Sequence, residues 1–422
     1  MKSETKICVL GLGYVGLPLA IEFSKYFKVI GYDKNLQRVK ELCKGRDNTN
    51  EVSISSLKNC KVNFSYSKKD IKESNIFIIT VPTPVTKKNK PDLSNLIDVS
   101  KLVATSLKLG DTIVFESTVF PGCTDEIMVP IIEKYSKLKI NEDFYVGYSP
   151  ERIDPGKSKY KLVNQNKIVS GSNKYALSLI SKIYSKIIKK RLFKADSIKI
   201  AEAAKIIENT QRDINIAFIN EISTLFGKLG INTSDVLKAA RTKWNFLNFK
   251  PGLVGGHCIS VDPYYLQYKA EKSKHKVKII SSSRAINDSM PMYIFKQIKK
   301  YLSYVGKTLK KRKILFLGIS YKENCGDFRN SKAIILHNLL KRENKVDVFD
   351  NFVNKESLFN QHKIKLIKKK SFKNNYDLIV VCVPHKSIKK FSIKFLKSIC
   401  DNNCSIFDIK GIFPRKDVTW QL

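Results

Sequence analysis

The sequence predicts two α/β domains bridged by a helical middle. Three observations carry this. Short β-rich apolar runs alternate with helical patterns at both ends of the chain, the arrangement that gives a parallel sheet covered on both faces. Between them, from about Ile200, apolar residues hold helical spacing for almost thirty residues. Finally, the end segments look like weak copies of one strand–turn–helix–strand theme, KICVLGLG followed by VIGYD and KILFLGIS followed by VDVFD.

Each element follows from its pattern. Lys6–Leu10 reads as a buried strand, then a glycine turn, then a helix to about Tyr26. Lys28–Tyr32 is a second strand, and Ile76–Thr80 and Thr112–Glu116 are two more. The middle segment, IAEAAKIIENTQRDINIAFINEISTLFGKLG, ends its helical spacing at Gly227 or Gly230. Its apolar positions fall on more than one face, so it needs partners on more than one side and reads as an inter-domain spine and dimer surface. From Lys313 the runs KILFLGIS, KVDVFD, DLIVVCVP and SIFDIKG again suggest a parallel sheet. The domains are drawn at residues 1–199, 200–308 and 309–422.

Composition narrows the function classes. At roughly 100–200 residues per domain, 422 residues make two or three domains. No stretch reaches the roughly 20 apolar residues of a membrane span, and Lys6–Leu10 is too short for a signal-peptide core. A cytoplasmic protein without membrane insertion is expected. The nine cysteines are scattered and do not read as a disulfide framework. Cys400 and Cys404 lie four apart with no second pair or nearby histidine, so no metal site is expected. The net charge of +39 comes mostly from lysine and reads first as a solvated surface. A positive field also suits an enzyme of dianionic substrates. No arginine-rich tract, zinc finger or helix-turn-helix pattern points to a nucleic-acid partner.

Gly11-Leu12-Gly13-Tyr14-Val15-Gly16 follows the first strand directly and opens a helix. Gly11 allows the tight turn, Gly13 lets backbone approach a pyrophosphate, and Gly16 lets helix pack on strand, with the helix N-terminus facing the negative charge. Asp33 ends the next strand, 17 residues past Gly16. A carboxylate there hydrogen-bonds a ribose hydroxyl and repels a 2′-phosphate, which favours NAD over NADP. Lys34 beside it softens that discrimination. The first domain is thus a dinucleotide-binding, Rossmann-like one.

The loop Pro251-Gly252-Leu253-Val254-Gly255-Gly256-His257-Cys258-Ile259-Ser260-Val261-Asp262-Pro263 carries the chemistry. Gly255 and Gly256 let a substrate come close to backbone. Cys258, with His257 beside it and Asp262 four residues on, can be activated as a thiolate. On local sequence alone a buried structural cysteine is the commoner outcome.

This loop resembles the active-site loop of the UDP-glucose/GDP-mannose dehydrogenase family, and the resemblance runs through the chain. GLGYVGLP resembles the family's cofactor loop. Val81-Pro82-Thr83-Pro84 and Glu116-Ser117-Thr118-Val119-Phe120-Pro121-Gly122 resemble its strand-end loops over the nicotinamide. Ser149-Pro150-Glu151-Arg152 resembles its catalytic glutamate motif. Lys205 through Asn209, then Asn220-Glu221, resembles its central helix. Tyr321-Lys322-Glu323-Asn324 with Asp327-Phe328-Arg329-Asn330-Ser331 resembles its C-terminal substrate and cofactor motif.

The resemblance implies two Rossmann-like, doubly wound domains joined by a long central helix and a helical dimerisation region. It implies an NAD-dependent 6-dehydrogenase of a UDP-sugar, acting as a homodimer. Residues 1–199 would bind NAD, 200–308 would carry the cysteine loop and dimer surface, and 309–422 would bind the UDP-sugar. Cys258 would be the covalent nucleophile of a four-electron oxidation from alcohol to acid through a thiohemiacetal and a thioester. Lys205 and Asn209, four apart and so on one helix face, would hold oxyanions. Asp262 would manage protons with Lys205, Glu151 would assist thioester hydrolysis, and Thr118 would position water. Tyr14, Val15, Thr83, Thr118 and Arg329 would contact cofactor with the three glycines and Asp33. Glu151, Arg152, Lys205, Asn209, Gly255, Gly256 and Lys322 would contact substrate, with Lys322 and Arg329 facing phosphates. Arg241 lies near a substrate-binding arginine of UDP-glucose dehydrogenases, but the spacing differs by one and no role is given to it.

Thr242-Lys243-Trp244-Asn245-Phe246, the run VGGHCISVDPYYL and Gln211-Arg212-Asp213 resemble the branch that oxidises UDP-N-acetylhexosamines. UDP-N-acetylglucosamine or UDP-N-acetylgalactosamine is the expected substrate, with UDP-N-acetylmannosamine and UDP-glucose as alternatives and capsule or O-antigen polysaccharide as the destination. A two-electron hydroxyacyl- or phosphogluconate-type dehydrogenase needs no cysteine and lacks a second α/β domain. A non-catalytic NAD- or polyanion-binding module would not need Thr118, Glu151, Lys205, Asn209, Cys258 and Asp262 together.

Overall fold

The computed structural model describes residues 4–49, 51–152, 162–373 and 375–422. The chain divides into two compact units, Met1–Glu208 with Tyr264–His275, and Asn209–Pro263 with Lys276–Leu422.

The first unit is built on one eight-stranded sheet. Its strands are β1 (Lys6–Leu10), β2 (Lys28–Tyr32), β3 (Val62–Ser65), β4 (Ile76–Ile79), β5 (Thr112–Phe115), β6 (Tyr145–Tyr148), β7 (Lys167–Gly171) and β8 (Leu192–Lys194). They lie in the order β3-β2-β1-β4-β5-β6-β7-β8. The pairs are parallel except β6 with β7, where Gly147 opposes Gly171. The first six strands have the dinucleotide-binding order, in which the chain reverses its winding between β1 and β4 and ligands bind beyond the strand ends there. β1, β4 and β5 are apolar on both faces because both faces are covered. The first helix, Gly16–Phe23, stops short of Tyr26. The Tyr26 and Phe27 amides both turn back onto the Phe23 carbonyl at 3.0 Å, which bends the chain into β2.

The second unit holds a five-stranded parallel sheet of β9 (Lys313–Leu317), β10 (Lys345–Phe349), β11 (Tyr376–Val381), β12 (Cys400–Asp408) and β13 (Trp420–Gln421). Their order is β10-β9-β11-β12-β13, again with a switch beside the first strand. Along β9, Ile314 and Phe316 enter one core with Met290, Ile294 and Ile298 of the Lys278–Tyr304 helix. Leu315 and Leu317 enter another on the opposite face with Ile388 and Leu396. A strand flanked by two cores makes this sheet doubly wound, as the sequence predicts.

The two sheets repeat one local device. Gly11 and Gly318 both have positive φ, +98° and +86°. Gly11 N–H bonds the Tyr32 carbonyl at 2.8 Å, and Gly318 N–H bonds that of Phe349 at 2.9 Å. A carboxylate just past the second strand, Asp33 or Asp350, accepts the next N–H of the turn, Leu12 or Ile319, at 2.9 Å. The copies then diverge. Asp350 is 3% exposed and also accepts the N–H groups of Ser320, Phe352 and Val353 and the Nε2–H of His385. The other ring nitrogen of His385 accepts the Asn324 N–H at 2.8 Å.

The central helix runs from Ile198 to Leu229, 32 residues without a break. In the second unit it is tied to the Lys278–Tyr304 helix through buried polar groups. Arg284 donates to Asp213 at 2.5 Å, and Asn287 bridges Asp213 and Asn220 at 2.8 Å each. No helix among the described residues is long and apolar enough to cross a membrane.

One covalent pairing corrects the sequence expectation. Cys400 and Cys404 form a disulfide with Cα atoms 5.3 Å apart. Four residues of regular strand span about 13 Å, so spacing alone argues against the bond. The register of β12 against β11 shifts just there, between Tyr376 and Leu378, and the irregularity brings the two cysteines together.

Candidate active site

At the switch point of the first sheet the glycines divide their duties. A Cβ on Gly16 would stand 1.9 Å from the Gly11 carbonyl oxygen and 2.4 Å from Thr80 Oγ1. A Cβ on Gly11 would meet the Thr80 backbone at 3.1 Å, whereas one on Gly13 meets nothing within 4 Å. Gly11 and Gly16 are therefore required by packing, and Gly13 leaves open backbone for a diphosphate to approach. Tyr14 and Val15 complete the turn, and the helix begins at Gly16. Asp33 is half-buried; its Oδ1 accepts the Asn35 N–H at 2.8 Å. The Lys34 ammonium turns to Asn95 Oδ1 at 2.8 Å rather than lying against that carboxylate. These residues fit a dinucleotide.

Thr83 and Thr118, on the loops after β4 and β5, are brought together. Thr83 Oγ1 donates to the Thr118 carbonyl at 2.6 Å, and Tyr265 OH donates to the Thr83 carbonyl at 2.6 Å. Ser117 Oγ donates to the Val81 carbonyl at 2.7 Å. Glu202, fully buried, accepts from Gly122 N–H, Thr124 N–H and Thr124 Oγ1 at 2.5–2.9 Å. Burial pushes its pKa up to about 7 against the pull of these donors.

Glu151 and Arg152 follow β6. Arg152 pairs with Glu208 and reaches the Asn166 carbonyl at 3.3 Å. Lys205, 5% exposed, belongs to the same unit on the central helix.

The second unit gathers Asn209, Cys258 and Asp262. The N–H groups of Val261 and Asp262 both bond the Cys258 carbonyl at 2.9 Å, closing a turn around the half-buried thiol. Asn209 Nδ2 donates to Asp262 Oδ2 at 2.5 Å, and Arg212 donates to Asn209 Oδ1. The Asn220 amide grips the start of the loop, accepting the Gly252 N–H at 2.7 Å and donating to its carbonyl at 3.0 Å. Gly256, at φ +91°, lies where a Cβ would enter the Tyr321 ring at 2.6 Å, and a Cβ on Gly255 would meet the Asn330 carbonyl at 2.6 Å. The two glycines thus seat the cysteine loop on the Tyr321–Ser331 segment.

That segment gives Cys258 its electrostatic surroundings. Asp327 Oδ2 lies 3.4 Å from His257 Nδ1 and is gripped by Arg329, whose Nε reaches both carboxylate oxygens at 3.0 Å. Burial opposes charge on His257, but hydrogen bonds with Asp327 and Cys258 hold its pKa up at about 9. Asp327 stays well below the usual carboxylate range; burial acts against this, and His257 and Arg329 overcome it. Arg329, assigned to phosphate by resemblance, is thus already committed to Asp327, with its side chain 46% exposed. The Lys322 carbonyl accepts Ser320 Oγ at 2.8 Å.

Sequence reasoning missed Lys410. It follows β12, and its Nζ would sit 2.3 Å from a Cβ on Gly252. Burial lowers its pKa. The available signal was its place in FDIKG, at the carboxyl end of a parallel strand where ligands bind. Arg241 Nη2 donates to the Phe249 carbonyl at 3.2 Å.

Models of three domains match in order: the NAD binding domain of the UDP-glucose/GDP-mannose dehydrogenase family over residues 5–188, its central domain over 199–289 and its UDP binding domain over 315–415. The chain belongs to this family. It is an NAD-dependent nucleotide-sugar dehydrogenase. Among family members, UDP-N-acetyl-D-glucosamine 6-dehydrogenase of Salmonella typhi is 45% identical over 416 residues, 98% of each chain. Protein CapL of Staphylococcus aureus is 46% identical, covering 98% of this chain and 97% of its own. The solved UDP-D-ManNAc dehydrogenase of Pyrococcus horikoshii superposes with a TM-score of 0.90 at 30% identity, over 99% of this chain and 98% of that one.

Proposed function

We propose that this enzyme oxidises C6 of UDP-N-acetylglucosamine from alcohol to carboxylate through a covalent bond to Cys258. The observation that carries the reading is the closed turn of Cys258 and Asp262 with the Asn209 amide on the Asp262 carboxylate. It presents a thiol and a carboxylate on one turn and an amide donor from the central helix beside them. NAD, when bound, accepts the electrons of each oxidation.

An aldehyde cannot be oxidised further until a nucleophile adds to its carbonyl. Cys258 attacks as the thiolate, next to the His257 imidazolium, and makes the thiohemiacetal. The second oxidation leaves a thioester. Lys205 and Asn209 hold the oxyanions, and Asp262 manages the protons with Lys205. Thr118 orients water, Glu151 takes its proton, and Cys258 leaves as the acid is released. Gly11, Gly13, Gly16 and Asp33 hold the cofactor, with Tyr14, Val15 and Thr83 beside it. In the second unit Lys322 and Lys410 meet the substrate diphosphate beside Gly255 and Gly256, and Arg329 acts through Asp327; in the first unit Arg152 is the substrate contact.

The substrate reading rests on relatives. Two UDP-N-acetyl-D-glucosamine 6-dehydrogenases are 45% and 43% identical, whereas the UDP-N-acetyl-D-mannosamine dehydrogenase of Methanocaldococcus jannaschii is 33% identical. Acting in the cytoplasm, the enzyme would supply a charged sugar for capsule or O-antigen polysaccharide. Phe218, Leu225 and Leu229 stand exposed on the central helix at successive spacings of seven and four residues. At about 100° per residue this is one stripe, and it supports a homodimer.

The test is Cys258→Ala. Given the 6-aldehyde and NADH, this variant is expected to form the alcohol. Given the alcohol and NAD, it yields almost no acid, while the wild type yields two NADH per acid. Acid formation at the wild-type rate would make Cys258 structural.

A further inference from the structure

Lys167 is a lysine with almost no access to water, 2% exposed, at the start of β7. Its ammonium donates to Glu116 Oε2 at 2.7 Å, to the Pro150 carbonyl at 3.0 Å and to the Ser149 carbonyl at 3.3 Å. Glu116 is 1% exposed. Its second oxygen accepts the Tyr184 hydroxyl, and its backbone N–H bonds the Ile79 carbonyl at 2.9 Å. Charges are costly to bury, and well-packed apolar residues often support a fold equally well. The placement of this pair matters more than its energy. Glu116 stands two residues before Thr118. The carbonyls that Lys167 grips belong to the two residues before Glu151, and Arg152, just after it, is held by Glu208.

We propose that Lys167 is a positioning residue for release of the product acid: with Glu116 it forms a buried brace that fixes the Thr118 loop and the Glu151 loop relative to each other. The inference rests on the reading above, in which these two residues direct water onto a Cys258 thioester. In that step water oxygen bonds to the acyl carbon, the C–S bond breaks, Cys258 keeps the electron pair and Glu151 accepts the proton. Nothing is oxidised or reduced. The step depends on a water held by two separate loops, so it is the one most sensitive to their spacing, and misplacement by about 1 Å can cost on the order of a hundredfold. The oxidations need Thr118 and Glu151 only as contacts of cofactor and substrate, whereas release needs both to act on one water.

The test compares full-length variants by rapid-quench NADH measurement and intact-protein mass after mixing with UDP-N-acetylglucosamine and NAD. Glu151→Gln is the reference and is expected to accumulate an acyl adduct on Cys258. Lys167→Met is expected to give a burst of two NADH per chain, the same adduct, and a steady-state rate at least about tenfold below wild type. Lys167→Arg, which keeps a cation within reach of both carbonyls, is expected to restore turnover. Should Lys167→Met fail to fold around an unpaired Glu116, the double variant Glu116→Gln/Lys167→Met removes both charges and carries the test. If Glu151→Gln accumulates the adduct and the Lys167 variants show neither burst nor adduct, the brace has no role in release. A double variant that does not fold makes the pair structural and overturns the proposal too. If Glu151→Gln shows no adduct either, the thioester reading is wrong and the proposal falls with it.

Discussion

The Asp33 carboxylate accepts the Leu12 N–H at 2.9 Å, so the group that would read the cofactor ribose also buttresses the glycine turn that would hold its diphosphate. Replacing it touches both. Asp33→Asn keeps one acceptor for the turn and loses the charge. Its ratio of kcat/KM for NAD over NADP is expected to fall by at least about tenfold, because repulsion of a 2′-phosphate is gone. Titration of both cofactors at saturating sugar checks this; an unchanged ratio removes Asp33 from the cofactor site.

Gly13 and Gly16 are expected to fail differently. Gly16→Ala puts a methyl 1.9 Å from the Gly11 carbonyl oxygen, and both Tm and NAD binding should drop. Gly13→Ala meets no protein atom within 4 Å. It should melt like the wild type while binding NAD at least about tenfold more weakly, since its methyl takes the space of the diphosphate. Equal loss of Tm in both variants would contradict the division of duties.

UDP-N-acetylglucosamine is expected to exceed UDP-glucose in kcat/KM by at least about tenfold, the scale of 1–3 kcal/mol that a filled or empty subsite brings. A panel of UDP- and GDP-sugars followed by NADH absorbance decides it. Comparable rates would overturn the branch assignment and leave the family intact.

His257 makes stability depend on alkaline pH. Its pKa rises from the ordinary 6.5 to about 9 in the fold, despite burial, through Asp327 and Cys258. A raised value means the contribution is fully present below 6.5 and fades as pH climbs through about 9. The Tm gap between wild type and Asp327→Asn should therefore be widest near pH 6 and narrow by pH 10. The lost Arg329 contacts leave a remainder at every pH. A gap constant over that range would show that His257 is not charged in the fold.

The parts of this molecule that were legible in the sequence are those where one residue type answers one local need. Gly11 and Gly16 are forced by contacts of 3.1 Å and 1.9 Å with neighbouring backbone, and such glycines follow a strand in a fixed pattern. The central helix announced itself by periodicity. Lys167 and Glu116 did not, being 51 residues apart in a chain where 27% of residues are charged; only the sheet brings them together. Lys410 carried a signal, its place at the carboxyl end of a strand in FDIKG, but one more lysine in a lysine-rich chain did not stand out. β6 to β8 are short and mixed in character, and alternation over three to five residues cannot be told from a loop. The Cys400–Cys404 bond depends on a register shift that no spacing rule contains.

The difference between Asp33 and Asp350 bears on the course of the proposed reaction. Asp350 is saturated by four backbone N–H groups and an imidazole, and a ribose could not reach it. Asp33 retains an open edge. Of two turns built to one plan, one keeps an edge of its carboxylate exposed and the other has its carboxylate saturated by its own chain. If four electrons leave each sugar by way of the Asp33 turn, they leave in two trips. On the proposed reading, the first NADH would depart and a fresh NAD would enter while the half-oxidised sugar waits, and the sugar would have to be gripped by groups that the cofactor's exchange does not disturb.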